Sequence, residues 1–109
     1  MKLLTVIVQG DDAPFLLESL TKRGFRATRI NTAGGFLKKP NATILLGLDD
    51  EEVDDVLAVI RTNCQTRLEW ANLLPGGPGL DDFLLAQPIE VEVGGATVFV
   101  LDVEQFVRL

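Results

Sequence analysis

Leu3 to Val8 is an unbroken apolar run rich in β-branched residues, the pattern of a strand covered on both faces. The chain then changes period. Asp11 or Asp12 is placed to cap a helix, Pro14 fits its first turn, and Leu16, Leu17 and Leu20 form its apolar stripe. Lys22 and Arg23 complement the C-terminal dipole and Gly24 offers a left-handed stop. Phe25 to Thr32 has the β-branched and aromatic content of a second strand that runs into Gly34-Gly35, and places Arg26 and Thr28 on one face.

Ala42 to Leu48 predicts a third strand, and the acidic cluster Asp49-Asp50-Glu51-Glu52 that follows suits a helix N-terminus. Val53, Val56, Leu57, Ile60 and Cys64 recur at helical spacing and predict a second helix with one face against a sheet. From about Trp70 to Pro88, with Pro75-Gly76-Gly77-Pro78-Gly79 inside it, the chain reads as a long loop of the kind that often carries function. Ile89-Glu90-Val91-Glu92-Val93 alternates, Gly94-Gly95 matches a two-residue hairpin turn, and Ala96 to Leu101 returns as a final strand. The order β-α-β-β-α-β-β predicts an α+β domain of ferredoxin-like type, with an extra C-terminal strand and both helices on one face of the sheet. Residues 1–109 hold enough apolar material for one core, so a single domain is expected.

Charge and residue inventory narrow the chemistry. A net charge of -6 disfavours DNA, RNA and anionic membrane surfaces as partners. The opening apolar run is too short for a secretory signal, no stretch approaches the roughly 20 residues that cross a bilayer, and one cysteine forms no internal disulfide. A cytoplasmic location is expected. The absence of histidine removes Ser-His-Asp and Cys-His catalysis and imidazole metal sites. Cys64, on the apolar stripe of the second helix, reads as core filler. The acidic run from Asp49 to Asp55 lacks EF-hand spacing and reads as a cap and a solvated face. No catalytic residue, metal or resident cofactor is expected.

The segment from Lys22 to Lys39 departs from the overall charge. It holds Lys22, Arg23, Arg26, Arg29, Lys38 and Lys39 and no acidic residue. Acids elsewhere are largely screened beyond a Debye length of about 8 Å, so an anion can be held here. Gly34-Gly35 lets backbone N–H groups approach a phosphate or a base edge, and Asn41 carries the paired donor and acceptor that suit an adenine edge. The plainer account, a dipole complement with a solvated face and a Gly-Gly turn before a core aromatic, remains open on these residues alone.

Four blocks then carry a resemblance: Phe25-Arg26-Ala27-Thr28; Gly34-Gly35-Phe36-Leu37; Asn41; and Val91-Glu92-Val93-Gly94-Gly95-Ala96-Thr97-Val98-Phe99-Val100. With Ile7-Val8-Gln9, Val53-Asp54-Asp55-Val56-Leu57 and the ending near Phe106, the chain resembles the PII-like cyclic di-AMP receptors over its full length. The resemblance implies a homotrimer that binds cyclic di-AMP in pockets between subunits and signals to a downstream protein without catalysis. It implies that Arg26 and Thr28 contact phosphate or base, that Gly35, Phe36 and Leu37 offer backbone and packing to adenine, and that Asn41 and Gly47 complete the pocket. Phe99 and Arg108 are further candidates, with core packing and a solvated tail charge as their plain readings. Departures from the family pattern fall at Gly24, where it has Asn, at Pro40, where Gly is common, at Ala42, where it has Thr, and at Arg108, where it has Gln. Gly24 favours an alternative: an interaction module of the same fold whose pocket is lost or takes another nucleotide such as ATP. The fold alone also admits an amino-acid-sensing domain or a small enzyme.

Overall fold

Alternation along two central strands decides which side of the sheet meets the helices. The computed structural model describes residues 1–32, 40–71 and 89–109. Within them lie β1 (Lys2–Gln9), α1 (Ala13–Lys22), β2 (Thr28–Thr32), β3 (Asn41–Leu48), α2 (Val53–Asn63), β4 (Arg67–Ala71), β5 (Ile89–Val93) and β6 (Ala96–Asp102). Leu4, Val6 and Val8 of β1 and Ala42, Ile44, Leu46 and Leu48 of β3 are buried. They pack against Leu16 and Leu20 of α1 and Val56, Val59 and Ile60 of α2 in one core. The intervening residues are only half covered, so one face of the sheet carries both helices and the other is bare.

The main sheet has the order β2-β3-β1-β6. All its pairings are antiparallel, with Leu3 opposite Gly47, Gln9 opposite Asn41, Thr28 opposite Leu45 and Thr5 opposite Phe99. Opposed residues in such a ladder share a face. Thr28, Leu45, Thr5 and Phe99 therefore form one row across the bare side. This is the expected α+β, ferredoxin-like arrangement, two helices on one face of a four-stranded sheet.

The stop of α1 and the start of α2 are both legible in their residues. Gly24 adopts φ +84°, the amide of Phe25 donates to the carbonyl of Leu20 at 2.9 Å, and that of Gly24 donates to Thr21 at 3.0 Å. These are the paired bonds of a Schellman stop, which a β-carbon would strain. At the start of the α2 region, Glu52 accepts from the backbone N–H of Asp49 at 3.0 Å, and a short 3-10 turn at Asp50–Glu52 leads into the helix.

Several expectations need correction. The strand expected from Phe25 begins at Thr28. Asp12 stands at the N-cap of α1 without a capping bond from its side chain. Its carboxylate instead accepts from both Arg67 Nη2 at 3.0 Å and Arg67 Nη1 at 3.3 Å. A charge-assisted pair outcompetes a single backbone amide for the same oxygens. The expected loop from about Trp70 starts too early, because Trp70 and Ala71 belong to β4. Residues 72–88 of that loop lie outside the described residues. The expected β5–β6 hairpin does not form either. Gly94 and Gly95 do adopt φ +83° and +80°, but β5 pairs with β4 in a separate two-stranded ribbon while β6 pairs with β1. A β-carbon on Gly94 would lie 2.6 Å from Arg67 Nη1, so this corner presses against the base of β4.

Candidate functional site

The stop at Gly24 sets up the first half of the site. Turning there sends Phe25 and Ala27 toward the core, where both pack partly buried, and alternation then turns Arg26 and Thr28 outward. Arg26, Thr28 and Gly47 line one cleft of about 560 Å³ with Leu3, Phe25 and Leu45. Among the described residues Arg26 makes no ion pair, so its guanidinium is available to an anion. Gly47 is exposed, and a β-carbon there would meet only Met1 Cε, at 3.5 Å. Internal packing therefore does not require a glycine at 47.

The rest of the basic segment disperses. Lys22 pairs with Glu18 at 3.1 Å along α1, and Arg29 Nε donates to Asn31 Oδ1 at 2.9 Å. Lys38 and Lys39 lie outside the described residues, as do Gly35, Phe36 and Leu37. The six cations do not form one patch: among the described residues Arg26 stands beside a hydroxyl and a glycine, while Arg23 lines a separate cavity with Ser19 and Asn63.

Asn41 stands at the other end of β3. Six residues from Gly47, at about 3.3 Å per residue, it is roughly 20 Å away on the same bare face. It borders a second cavity of about 410 Å³, with Gln9, Thr66, Glu92, Gly94 and Thr97 among the lining residues. Phe99 is on the same face but at the opposite sheet edge from Thr28, three strands or about 14 Å across, and is 53% exposed. Arg108 is in the exposed tail after β6 and lines neither cavity. The chain thus brings Arg26, Thr28 and Gly47 together and holds Asn41, Phe99 and Arg108 apart.

Gln9 went unremarked as a site residue in the sequence. Its Oε1 is shut off from solvent and has no hydrogen-bond partner among the described residues. The available signal was its place at the end of β1, where the antiparallel register sets it beside Asn41. Cys64 behaves as the core residue its spacing predicts: burial pushes its thiol up to about 11, the Asp12 carboxylate adds to the rise, and Arg67 opposes it. Among the described residues no three acidic or thiol groups converge on a metal position, and no helix is long and apolar enough to cross a membrane.

β6 and the tail leave Phe99, Val100, Leu101, Phe106 and Val107 each about half exposed or more. A run of this kind on a sheet edge marks an interaction surface.

Known proteins share the fold. A solved structure of a functionally unknown protein from Pediococcus pentosaceus superposes with a TM-score of 0.75 at 40% identity, covering 99% of this chain and 96% of the other. The "Nitrogen fixation nifHD region GlnB-like protein 1" of Methanothermococcus thermolithotrophicus is 32% identical over 79 residues, covering 61% of this chain and 75% of that protein. The family model described as cyclic-di-AMP receptor matches residues 1–109, and the chain belongs to that family, with PII-like relatives.

Proposed function

We propose that this chain is a non-enzymatic signalling protein that binds cyclic di-AMP between the subunits of a homotrimer and passes the signal to a protein partner in the cytoplasm. The observation that carries the reading is the split of the candidate residues along β3. Arg26, Thr28 and Gly47 share a cleft at one end, while Asn41 borders a different cavity roughly 20 Å along the same bare face. A second copy laid against that face brings the cationic end of one subunit to the Asn41 end of its neighbour. The cationic end suits phosphate, and the amide end suits a base. Gly35, Phe36 and Leu37 join the base end through their nearness to Asn41 in the chain. Phe99 and Arg108 belong to the surface that the neighbour covers, and the exposed apolar run on β6 and the tail gives assembly its driving force.

The segments 34–41 and 70–88 carry the output in this reading. One joins β2 to β3 beside Asn41, and the other is rich in glycine and proline and spans the end of β4 and the connection to β5. A ligand that touches strand and segment together favours one arrangement over others, and only such differential affinity moves a population.

Calorimetry with cyclic di-AMP, cyclic di-GMP and ATP, alongside light-scattering mass, tests the proposal. The expected result is a trimer that takes cyclic di-AMP far more tightly than the other two. A monomer with full affinity sinks the interface site. ATP binding without a response to cyclic di-AMP selects the second reading, which Gly24 favours by lacking a polar side chain beside Arg26.

A further inference from the structure

A buried amide oxygen without a partner destabilises the fold that holds it, so a fold that keeps one usually has a use for it. Gln9 Oε1 is such an atom. It sits at the end of β1, directly opposite Asn41 in the ladder, and both residues line the same 410 Å³ cavity between the sheet and the base of the β4–β5 ribbon. Opposed residues on one face place their β-carbons about 5 Å apart, so the two carboxamides stand side by side. Asn41 already has an interaction partner. Gln9 Oε1 is the vacant acceptor.

The wall of this cavity favours donors. Among the described residues Glu92 lines it, and no lysine or arginine does. A phosphate here would face a carboxylate and an amide oxygen, whereas an exocyclic amine would find acceptors. The cleft at the far end of β3 has the opposite character, with Arg26 and, among the described residues, no acidic residue lining it. Charge alone sorts a nucleotide between the two ends, phosphate to one and base to the other.

From this geometry we infer that Gln9 is a base-reading residue of the cyclic di-AMP site, its carboxamide turning into the cavity so that Oε1 accepts a hydrogen bond from the adenine N6 amine. The inference rests on the proposed function and names a contact that it does not include. A glutamine amide pairs with adenine by taking the N6 proton on its oxygen and giving an N–H to the neighbouring ring nitrogen. A hypoxanthine base carries an oxygen in place of that amine and sets one acceptor against another.

The experiment crosses a protein change with a ligand change. Wild type and Gln9→Met are titrated with cyclic di-AMP and with the same cyclic dinucleotide carrying hypoxanthine in place of adenine, and the melting temperature of each ligand-free protein is recorded. Methionine matches glutamine in length and removes the acceptor. The wild type is expected to prefer the adenine ligand by about tenfold or more, and the variant to lose about tenfold in cyclic di-AMP affinity and most of that preference. Without ligand the variant should melt no lower than wild type, since an unsatisfied buried oxygen has been replaced by an apolar group. Unchanged preference in Gln9→Met overturns the inference, as does a lower melting temperature with equal loss for both ligands, which is the mark of a structural role. Failure of the wild type to bind either ligand overturns the proposed function itself, and the inference with it.

Discussion

The Asp12–Arg67 pair fastens the β4–β5 ribbon to the start of α1, and Arg67→Ala measures that attachment. The change deletes two charge-assisted hydrogen bonds to Asp12, at 3.0 and 3.3 Å, and one to the Gln65 carbonyl, at 3.2 Å, and leaves behind a carboxylate on a residue only 6% exposed. Breaking a fully enclosed ion pair by removing one partner costs about 3–5 kcal/mol. Two features reduce that here. The Arg67 side chain is 40% exposed, so water already screens it, and a freed Asp12 stands at the N-cap of α1, where its oxygens regain about 1 kcal/mol from first-turn amides. The net expectation is a loss of about 2 kcal/mol. For a domain of this size that lowers the melting temperature by roughly 8 °C, read at fixed protein concentration because assembly shifts the midpoint. Arg67→Lys should recover only part of the loss, since a point charge cannot engage both oxygens at once. Urea unfolding gives the free energy, and amide exchange in Arg67–Ala71 and Ile89–Val93 should quicken more than in α2. A loss below about 0.5 kcal/mol would refute the reasoning, and the ribbon would then be held by its glycine corner instead.

Arg26→Ala should weaken cyclic di-AMP binding by about 1.5–3 kcal/mol, measured by calorimetry, with the melting temperature of the free protein unchanged because the side chain is exposed. Gly47→Ala should leave stability equal or raised by up to about 1 kcal/mol, since the added methyl meets only Met1 Cε, while ligand affinity falls. Cys64 should resist alkylation at pH 8 in the folded protein and react on unfolding. Its folded thiol pKa is raised from 9.0 to about 11, so the stability it contributes is complete below pH 9.0 and is lost as pH rises to about 11; Cys64→Ala should flatten that part of the pH–stability curve.

Strands and helices with a clear period were readable directly. Burial on α2 follows the stripe Val56, Ile60 and Cys64 and the left-handed stop falls at Gly24, because both depend on neighbours within a few residues. Pairing partners were not readable. Gly94-Gly95 satisfies a two-residue hairpin turn locally, but the free edge of β1 takes β6 over seven register pairs, and Arg67–Ala71 takes β5. A turn motif states what the backbone can do at two residues; it does not state which strand edge is vacant nearby. β4 itself was obscured because Arg67-Leu68-Glu69-Trp70-Ala71 runs straight into the glycine- and proline-rich stretch. The site divides along the same line. Arg26 and Thr28 share a face by strand alternation, whereas the nearness of Gly47, the separation of Asn41 and the orphaned oxygen of Gln9 are products of tertiary register, which one sequence does not display.

β3 also works as a ruler. It is paired with β1 along all eight of its residues and with β2 along five, so nothing in it can stretch or slide. Asn41 and Gly47 are an even number of positions apart, which is why both point away from the helices. One residue inserted between them would reverse one end: either the amide or the glycine would turn into the packed core, and an apolar side chain would surface in its place. Two inserted residues would restore the facing but lengthen the span by about 7 Å, out of step with the β1 residues that pair with it. The interval between these two positions is thus restricted in parity by the core and in length by the ladder alongside it.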